Sequence, residues 1–243
     1  MKEDTYFDRP MKAVPPFAFN QGVADCFDDM VSRSVPYYGE IHRILVDLLP
    51  YRIRPEDRIY DLGCSTGTVI RLLSDHLKGQ SVSFVGLDQS SPMVSKARKK
   101  CASCEHPITW VCEDILDHLF LESGLVVMNY TLQFIDKSHR ASLMEKIYRS
   151  LRVGGTFFLC EKIESKDEEI ERFQSQLYRD FKRRNGYSEL EIAQKREALE
   201  NVLVPLPPES QLNLLKSAGF DHVDMIFRWF NFACFIGIKA RGT

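Results

Sequence analysis

Residues Arg58 to Leu73 read RIYDLGCSTGTVIRLL, and this stretch limits the architecture more than any other. Ile59 and Tyr60 end an apolar strand, Asp61 closes it, Gly63-Cys64-Ser65-Thr66-Gly67 makes a turn, and Thr68 starts an amphipathic helix. Strand, glycine-rich turn and helix in succession bring free backbone N–H groups and a helix N-terminus to one ligand. A phosphate loop is excluded. Gly67 is followed by Thr68-Val69, not by the Lys-Ser/Thr pair that holds phosphates and their metal. The full G-x-G-x-x-G spacing of a dinucleotide fingerprint is also missing.

Similar units follow. Val82 to Leu87 is an apolar strand ended by Asp88, and Ser91-Pro92-Met93 opens a helix to about Lys100, with proline where a first turn tolerates it. Ile108 to Cys112 and Gly124 to Asn129 read as the third and fourth strands. A helix from about Lys137 to Leu151 precedes a turn at Gly154-Gly155 and a fifth strand, Thr156 to Cys160. His222 to Trp229 and Asn231 to Lys239 are close enough to pair as an antiparallel hairpin. The alternation predicts a doubly wound α/β fold, a mostly parallel seven-stranded sheet with a C-terminal antiparallel hairpin. Ligands of such sheets bind beyond the carboxyl ends of the strands, where Asp61, Asp88, Asp114 and Asn129 all fall.

Residues 1–243 read as a single domain with two elaborations. The first, residues 1–52, is a lead-in, irregular to residue 39, with a short helix over Val23 to Val31 and Phe17 and Phe19 as anchors. Ile41, Ile44, Leu45, Leu48 and Leu49 then mark one face of a helix. The second, residues 165–203, reads as a helical insertion over the site. Its two polar helices meet at Asn185-Gly186 and carry apolar faces from Ile170, Phe173, Leu177, Tyr178 and Phe181, then Leu190, Ile192, Ala193, Leu199 and Val202. The run Lys182-Arg183-Arg184 reads as a solvated face.

Lys+Arg 32 against Asp+Glu 34 gives a net charge of −2, so no general nucleic-acid footprint is present. The N-terminal MKEDTYFDRP has no apolar core of a signal peptide, and the apolar run Trp229 to Ile238 is too short to span a bilayer. Seven scattered cysteines are an odd number, unlike a disulfide scaffold, and point to a reducing cytoplasm. Cys101 and Cys104 have C-x-x-C spacing, but with no second pair and only His106 nearby, no metal is expected.

Asp88, closing the second strand, suits the two hydroxyls of a ribose, or the cap of the next helix. Asp114 suits an adenine amino group, with Ile115 over the ring face. Asn129 closes the fourth strand, either as a satisfied polar turn residue or as a group facing a bound ligand, and its NYTLQF context is not the N-P-P-Y type box of nucleic-acid N-methylation.

Asp61, Gly63, Ser65 and Gly67 resemble the D-x-G-x-G-x-G motif of class I S-adenosylmethionine-dependent methyltransferases, with Ser65 at the middle glycine. Beyond that fold, FDDMVSRSVPYYGEI, YDLGCSTGT, NYTLQF, CEKI and above all DFKRRNGYSELEIAQKREALENV resemble the bacterial carboxy-S-adenosyl-L-methionine synthases over nearly the whole chain. The resemblance implies conversion of S-adenosylmethionine and prephenate to carboxy-S-adenosylmethionine, phenylpyruvate and water, without a metal. It implies a cytoplasmic homodimer whose product serves an enzyme modifying a tRNA wobble uridine, with no membrane or DNA binding. Tyr38 and Gly63-Cys64-Ser65 would hold the methionine part, Asp88-Gln89 the ribose and Asp114-Ile115 adenine. Asn129 would face the reacting end, and Arg196 would pair with the new carboxylate. The family usually has Asp-Asn where this chain has Asp88-Gln89. Two other readings use the same cofactor site: a methyltransferase acting on a small molecule or tRNA, and a non-catalytic carrier of an adenosyl ligand.

Overall fold

The computed structural model describes residues 2–240. Two helices, α1 (Gln21–Ser34) and α2 (Tyr38–Arg52), lead into β1 (Arg58–Leu62), α3 (Thr68–His76), β2 (Ser83–Leu87), α4 (Ser91–Lys100), β3 (Ile108–Val111) and β4 (Ser123–Asn129). After α5 (Lys137–Ser150) and β5 (Leu151–Lys162) come α6 (Glu168–Arg184), α7 (Glu189–Leu199), α8 (Pro208–Ser217), β6 (His222–Trp229) and β7 (Phe232–Ile238). The strands form one seven-stranded sheet in the order β3-β2-β1-β4-β5-β7-β6. β1 to β5 are parallel, and β7 inserts antiparallel between β5 and β6. Strand order reverses between β1 and β4, the place where a crevice opens in such sheets.

Alternation along the central strands builds one core on each face. Tyr60, Val126, Met128 and Phe157 pack with Leu143 and Ile147 of α5. Ile59, Val127 and Phe158 pack on the other face with Ile41 and Leu45 of α2 and Leu73 of α3. Local chemistry sets several boundaries that periodicity alone places elsewhere. The Asn20 side chain accepts from the N–H of Val23, so α1 starts earlier than Val23 and runs on to Ser34. Gly154-Gly155 lies inside β5, not in a turn before it: Gly154 takes φ 76 at an irregularity and donates to Lys239 O.

The cysteines also depart from the sequence reading, because Cys160 and Cys234 form a disulfide. They sit opposite each other in the β5–β7 register at a Cα–Cα distance of 4.1 Å, the close spacing of a directly opposed antiparallel pair. Cys101 and Cys104 are separate thiols. Cys101 donates to Gly67 O, and the His106 ring nitrogens meet Ser74 Oγ and Leu77 O.

The start of β1 is tied to the start of β5 through Asp57, only 6% exposed. Its carboxylate accepts from Nε and Nη2 of Arg152 at 2.6 and 2.5 Å and from the N–H of Arg54 at 2.7 Å. Breaking one side of such a pair leaves a desolvated charge. Arg152→Ala should therefore lower stability by about 3–5 kcal/mol, as read by urea denaturation. A loss below about 1 kcal/mol would mean that water reaches Asp57 and screens it as at a surface pair.

Candidate functional site

Beyond the carboxyl ends of β1, β2 and β4 lies a cavity of about 1050 Å³. Its floor is the turn after β1. Gly63 and Cys64 donate their N–H groups to Leu87 O at 2.8 and 3.0 Å, which ties the turn to the end of β2. Gly63 has φ 74, and a Cβ there would stand 2.2 Å from Thr131 Oγ1, so the position demands glycine. Ser65 takes φ 49, the left-handed conformation of the missing middle glycine, and donates its N–H to Asp88 Oδ2 at 2.9 Å.

Asp88 accepts a second N–H, from Ser90, at 2.8 Å. The helix cap is Ser90, whose Oγ accepts from Met93 N, so the capping role considered for Asp88 passes to its neighbour. An ionised carboxylate has about four acceptor sites, and two bonds leave capacity for a ligand's hydroxyls. Burial pushes the Asp88 pKa up, against the pull of the two N–H groups.

Asp61 is 3% exposed and its Oδ2 has no partner among the described residues. Burial, with the charge of Asp88 nearby, raises its pKa to about 8. The same setting, with Asp61 and Asp28 close, raises the Tyr38 phenol. Both amide atoms of Asn129 are buried without a partner among the described residues, at the end of β4 and against the cavity. Ile115 is buried, whereas Gln89 and Asp114 are exposed on the rim, and Asp114 Oδ1 accepts the N–H of Leu116 at 2.9 Å.

The lead-in forms one wall. Asp28 of α1 accepts from Thr66 Oγ1 at 2.6 Å and from Lys100 Nζ at 2.8 Å, which fastens α1 to the glycine-rich turn. Ser90 Oγ donates to Phe19 O at 2.5 Å, and Phe19 packs edge-on against Phe134. The other wall, from α6, α7 and the end of β5, is cationic on balance, with Glu168 and Glu171 beside its lysines and arginines. Arg196 is exposed on α7 and lines the cavity with Lys162, Arg179 and Lys182. The solvated reading of Lys182 is overturned, because it is 8% exposed and faces inward. Burial and the surrounding cations Lys195, Lys162, Arg179 and Arg196 bring its pKa down to about 7. The three-cation run hid this: periodicity assigns polar helix faces to solvent, and here they roof a polar cavity. Conversely, Ile170 and Phe173 of α6 are 45% and 58% exposed.

Tyr38, Gly63, Cys64, Ser65, Asp88, Gln89, Asp114, Ile115, Asn129 and Arg196, drawn from well-separated stretches of chain, all line this one cavity. Glu161 escaped the sequence reading. Fully buried at the end of β5, it accepts the N–H groups of Thr131, Leu132 and Gln133 at 2.8–3.1 Å and so fixes the loop after Asn129. The signal was an acid directly after the apolar run Phe157-Phe158-Leu159-Cys160.

The strand order, the glycine-rich turn and the cavity at the switch point define a class I S-adenosylmethionine-dependent methyltransferase fold. A family profile described as a methyltransferase domain matches residues 59–155. An O-methyltransferase family protein from Burkholderia thailandensis superposes with a TM-score of 0.69 at 15% identity, over 96% of this chain and 66% of that one. A putative methyltransferase from Methanococcus maripaludis gives 0.60 at 19% identity, over 96% and 99% of the two chains. Within that fold, the chain belongs to the carboxy-S-adenosyl-L-methionine synthase family. It is 47% identical to the Desulfotalea psychrophila synthase over 99% of this chain and 98% of that one. It is 39% identical to the Nautilia profundicola synthase over 98% and 100%.

Asp61 and Glu161 both have their pKa raised to about 8 by burial. A raised carboxyl favours the fold while protonated. That contribution is complete below the unfolded value of about 4 and is lost as pH climbs through about 8. Ligand-free protein should therefore lose stability between about pH 5 and about pH 8.5 in denaturant titrations, and Asp61→Asn should flatten part of that slope. A variant with the wild-type slope would remove Asp61 as a source.

Proposed function

We propose that the chain converts S-adenosylmethionine and prephenate to carboxy-S-adenosylmethionine, phenylpyruvate and water. The observation that carries this reading is the polarity of the cavity. Asp61, whose Oδ2 has no partner among the described residues, stands at its glycine-rich end, and at the α6–α7 end the cations Lys162, Arg172, Arg179, Lys182, Lys195 and Arg196 outnumber Glu168 and Glu171. A cationic sulfonium amino acid suits the first, and carboxylates suit the second. The synthase names of the near full-length relatives point the same way.

In this reading Tyr38 and Gly63-Cys64-Ser65 take the methionine moiety, Asp88 and Gln89 the ribose, and Asp114 with Ile115 the adenine. Asn129 offers its free amide to the reacting end, and Arg196 meets the new carboxylate. The C–C bond to the ring carboxylate of prephenate breaks, its electron pair aromatises the ring, and the ring hydroxyl leaves as hydroxide. That hydroxide takes a proton from the sulfonium methyl, and the resulting ylide carbon attacks the released carbon dioxide. Aromatisation drives the sequence, so the protein's part is to align two substrates, exclude water and keep a cation beside the moving carboxylate. A homodimer in the cytoplasm and a partner enzyme that uses the product on tRNA complete the proposal.

Mass spectrometry of ligand from protein incubated with both substrates should show a nucleoside heavier than S-adenosylmethionine by one carbon dioxide. S-adenosylhomocysteine alone, without prephenate consumption, would point to methyl transfer.

Only the carboxylated product gains from a guanidinium, whose planar fork meets both oxygens. Arg196→Ala should weaken the product by about 1.5–3 kcal/mol and leave S-adenosylmethionine nearly unchanged in calorimetry, with Arg196→Lys recovering part. Equal losses for both ligands would remove Arg196 from this role.

A further inference from the structure

The cationic wall holds more charge than one transferred carboxylate needs. Lys182 is only 8% exposed, and its ammonium has no hydrogen bond or ion pair among the described residues. Lys162, at the end of β5, likewise has no carboxylate within ion-pair distance among them. The two ammonium groups stand over one ring: Lys182 Nζ lies 4.5 Å and Lys162 Nζ 5.5 Å from the centroid of Tyr178. Tyr178 is fixed in turn, its hydroxyl donating to Ser34 O at 2.9 Å and its ring packing edge-on against Phe232.

Buried like charges repel, and holding a desolvated lysine without an anion costs the fold stability. Nearby Lys195 differs, since it has Asp4 at 3.7 Å. Two ammonium groups without a direct ion pair among the described residues, with Glu171 and Glu164 acting on Lys162 only from longer range, are held by a clamped aromatic ring inside a substrate-sized cavity and make a site for an anion. One is on the strand that carries Glu161 and the other on α6, so their spacing is set by the sheet and by α6 together.

Building on the proposed reaction, we infer that Lys162 and Lys182 form a second carboxylate subsite, which holds the substrate carboxylate that is not transferred. Such a site binds the arm that stays on the aromatic product. It distinguishes a two-carboxylate substrate from a one-carboxylate mimic, and it leaves Arg196 for the carboxyl group that moves. Lysine suits this role because a compact ammonium on a long stem releases the product arm more readily than a bidentate guanidinium.

Calorimetry on the full chain saturated with S-adenosylmethionine decides the matter. It measures binding of phenylpyruvate, which keeps only the retained carboxylate, to wild type, Lys182→Met, Lys182→Arg and Lys162→Met. Wild type should bind it, and each Met variant should bind it about ten- to a hundredfold more weakly, with the S-adenosylmethionine affinity unchanged. Lys182→Arg should recover most of the loss. Removing an unpaired buried charge should leave the melting temperature equal or higher, and if Lys182→Met fails to fold, Lys162→Met carries the comparison. In turnover the same variants should raise KM for prephenate by a similar factor and leave KM for S-adenosylmethionine alone. No phenylpyruvate binding to wild type, unchanged binding in both Met variants, or equal losses for phenylpyruvate and S-adenosylmethionine would overturn the subsite. Absence of prephenate turnover by wild type that still binds phenylpyruvate through these lysines would instead overturn the synthase reading.

Discussion

The site depends on one close approach, the backbone of Gly63 against the side chain of Thr131. A Cβ at Gly63 has no room, so the turn after β1 and the loop after β4 are in direct contact at the switch point. The N–H groups of Gly63 and Cys64 then reach Leu87 O, and Ser65 N–H reaches Asp88. On the far side, Glu161 holds the loop through three backbone N–H groups. Four strand ends are thereby braced without using the Asn129 amide or Asp61 Oδ2, which have no partner among the described residues. The scaffold braces itself with backbone groups and with the carboxylates of Asp88 and Glu161.

Much of this was legible because it is local. The β1 turn, the βα alternation and the acids at strand ends follow from residues adjacent in sequence. The C-terminal hairpin follows from two apolar runs separated by a short turn. What escaped is set by pairing across the chain. Cys160 and Cys234 are 74 residues apart and meet only because β7 enters between β5 and β6. Glu161 shows in sequence only as an acid after an apolar run, because its partners are backbone groups of a distant loop.

The insertion shows the limit of periodicity most clearly. Reading helix faces assumes that polar sides look to water and apolar sides to a core. In α6 and α7 the inward side carries Lys182, Lys195 and Gln194 at 5–8% exposure, while Phe173 and Ile170 look outward. A roof over a polar chamber inverts the rule. Such an inversion is itself informative, since a buried lysine without an acid is costly and persists where a ligand offsets it.

The lead-in and the insertion are also joined to each other. Phe17 donates its N–H to Ala198 O at 2.8 Å, and Gln194 receives the N–H of Met11 and donates to Phe7 O. Residues near the start of the chain thus need partners synthesised long after them. A nascent chain on the ribosome can form β1 to β4 and their helices early, yet its entry segment has nothing to dock on until α7 has emerged. Contacts of such long sequence separation close late in folding. The chamber is therefore completed only once α7 is made, and a product truncated before α7, which also lacks β6 and β7, would keep β1 to β5 with an unroofed, unwalled cofactor cleft.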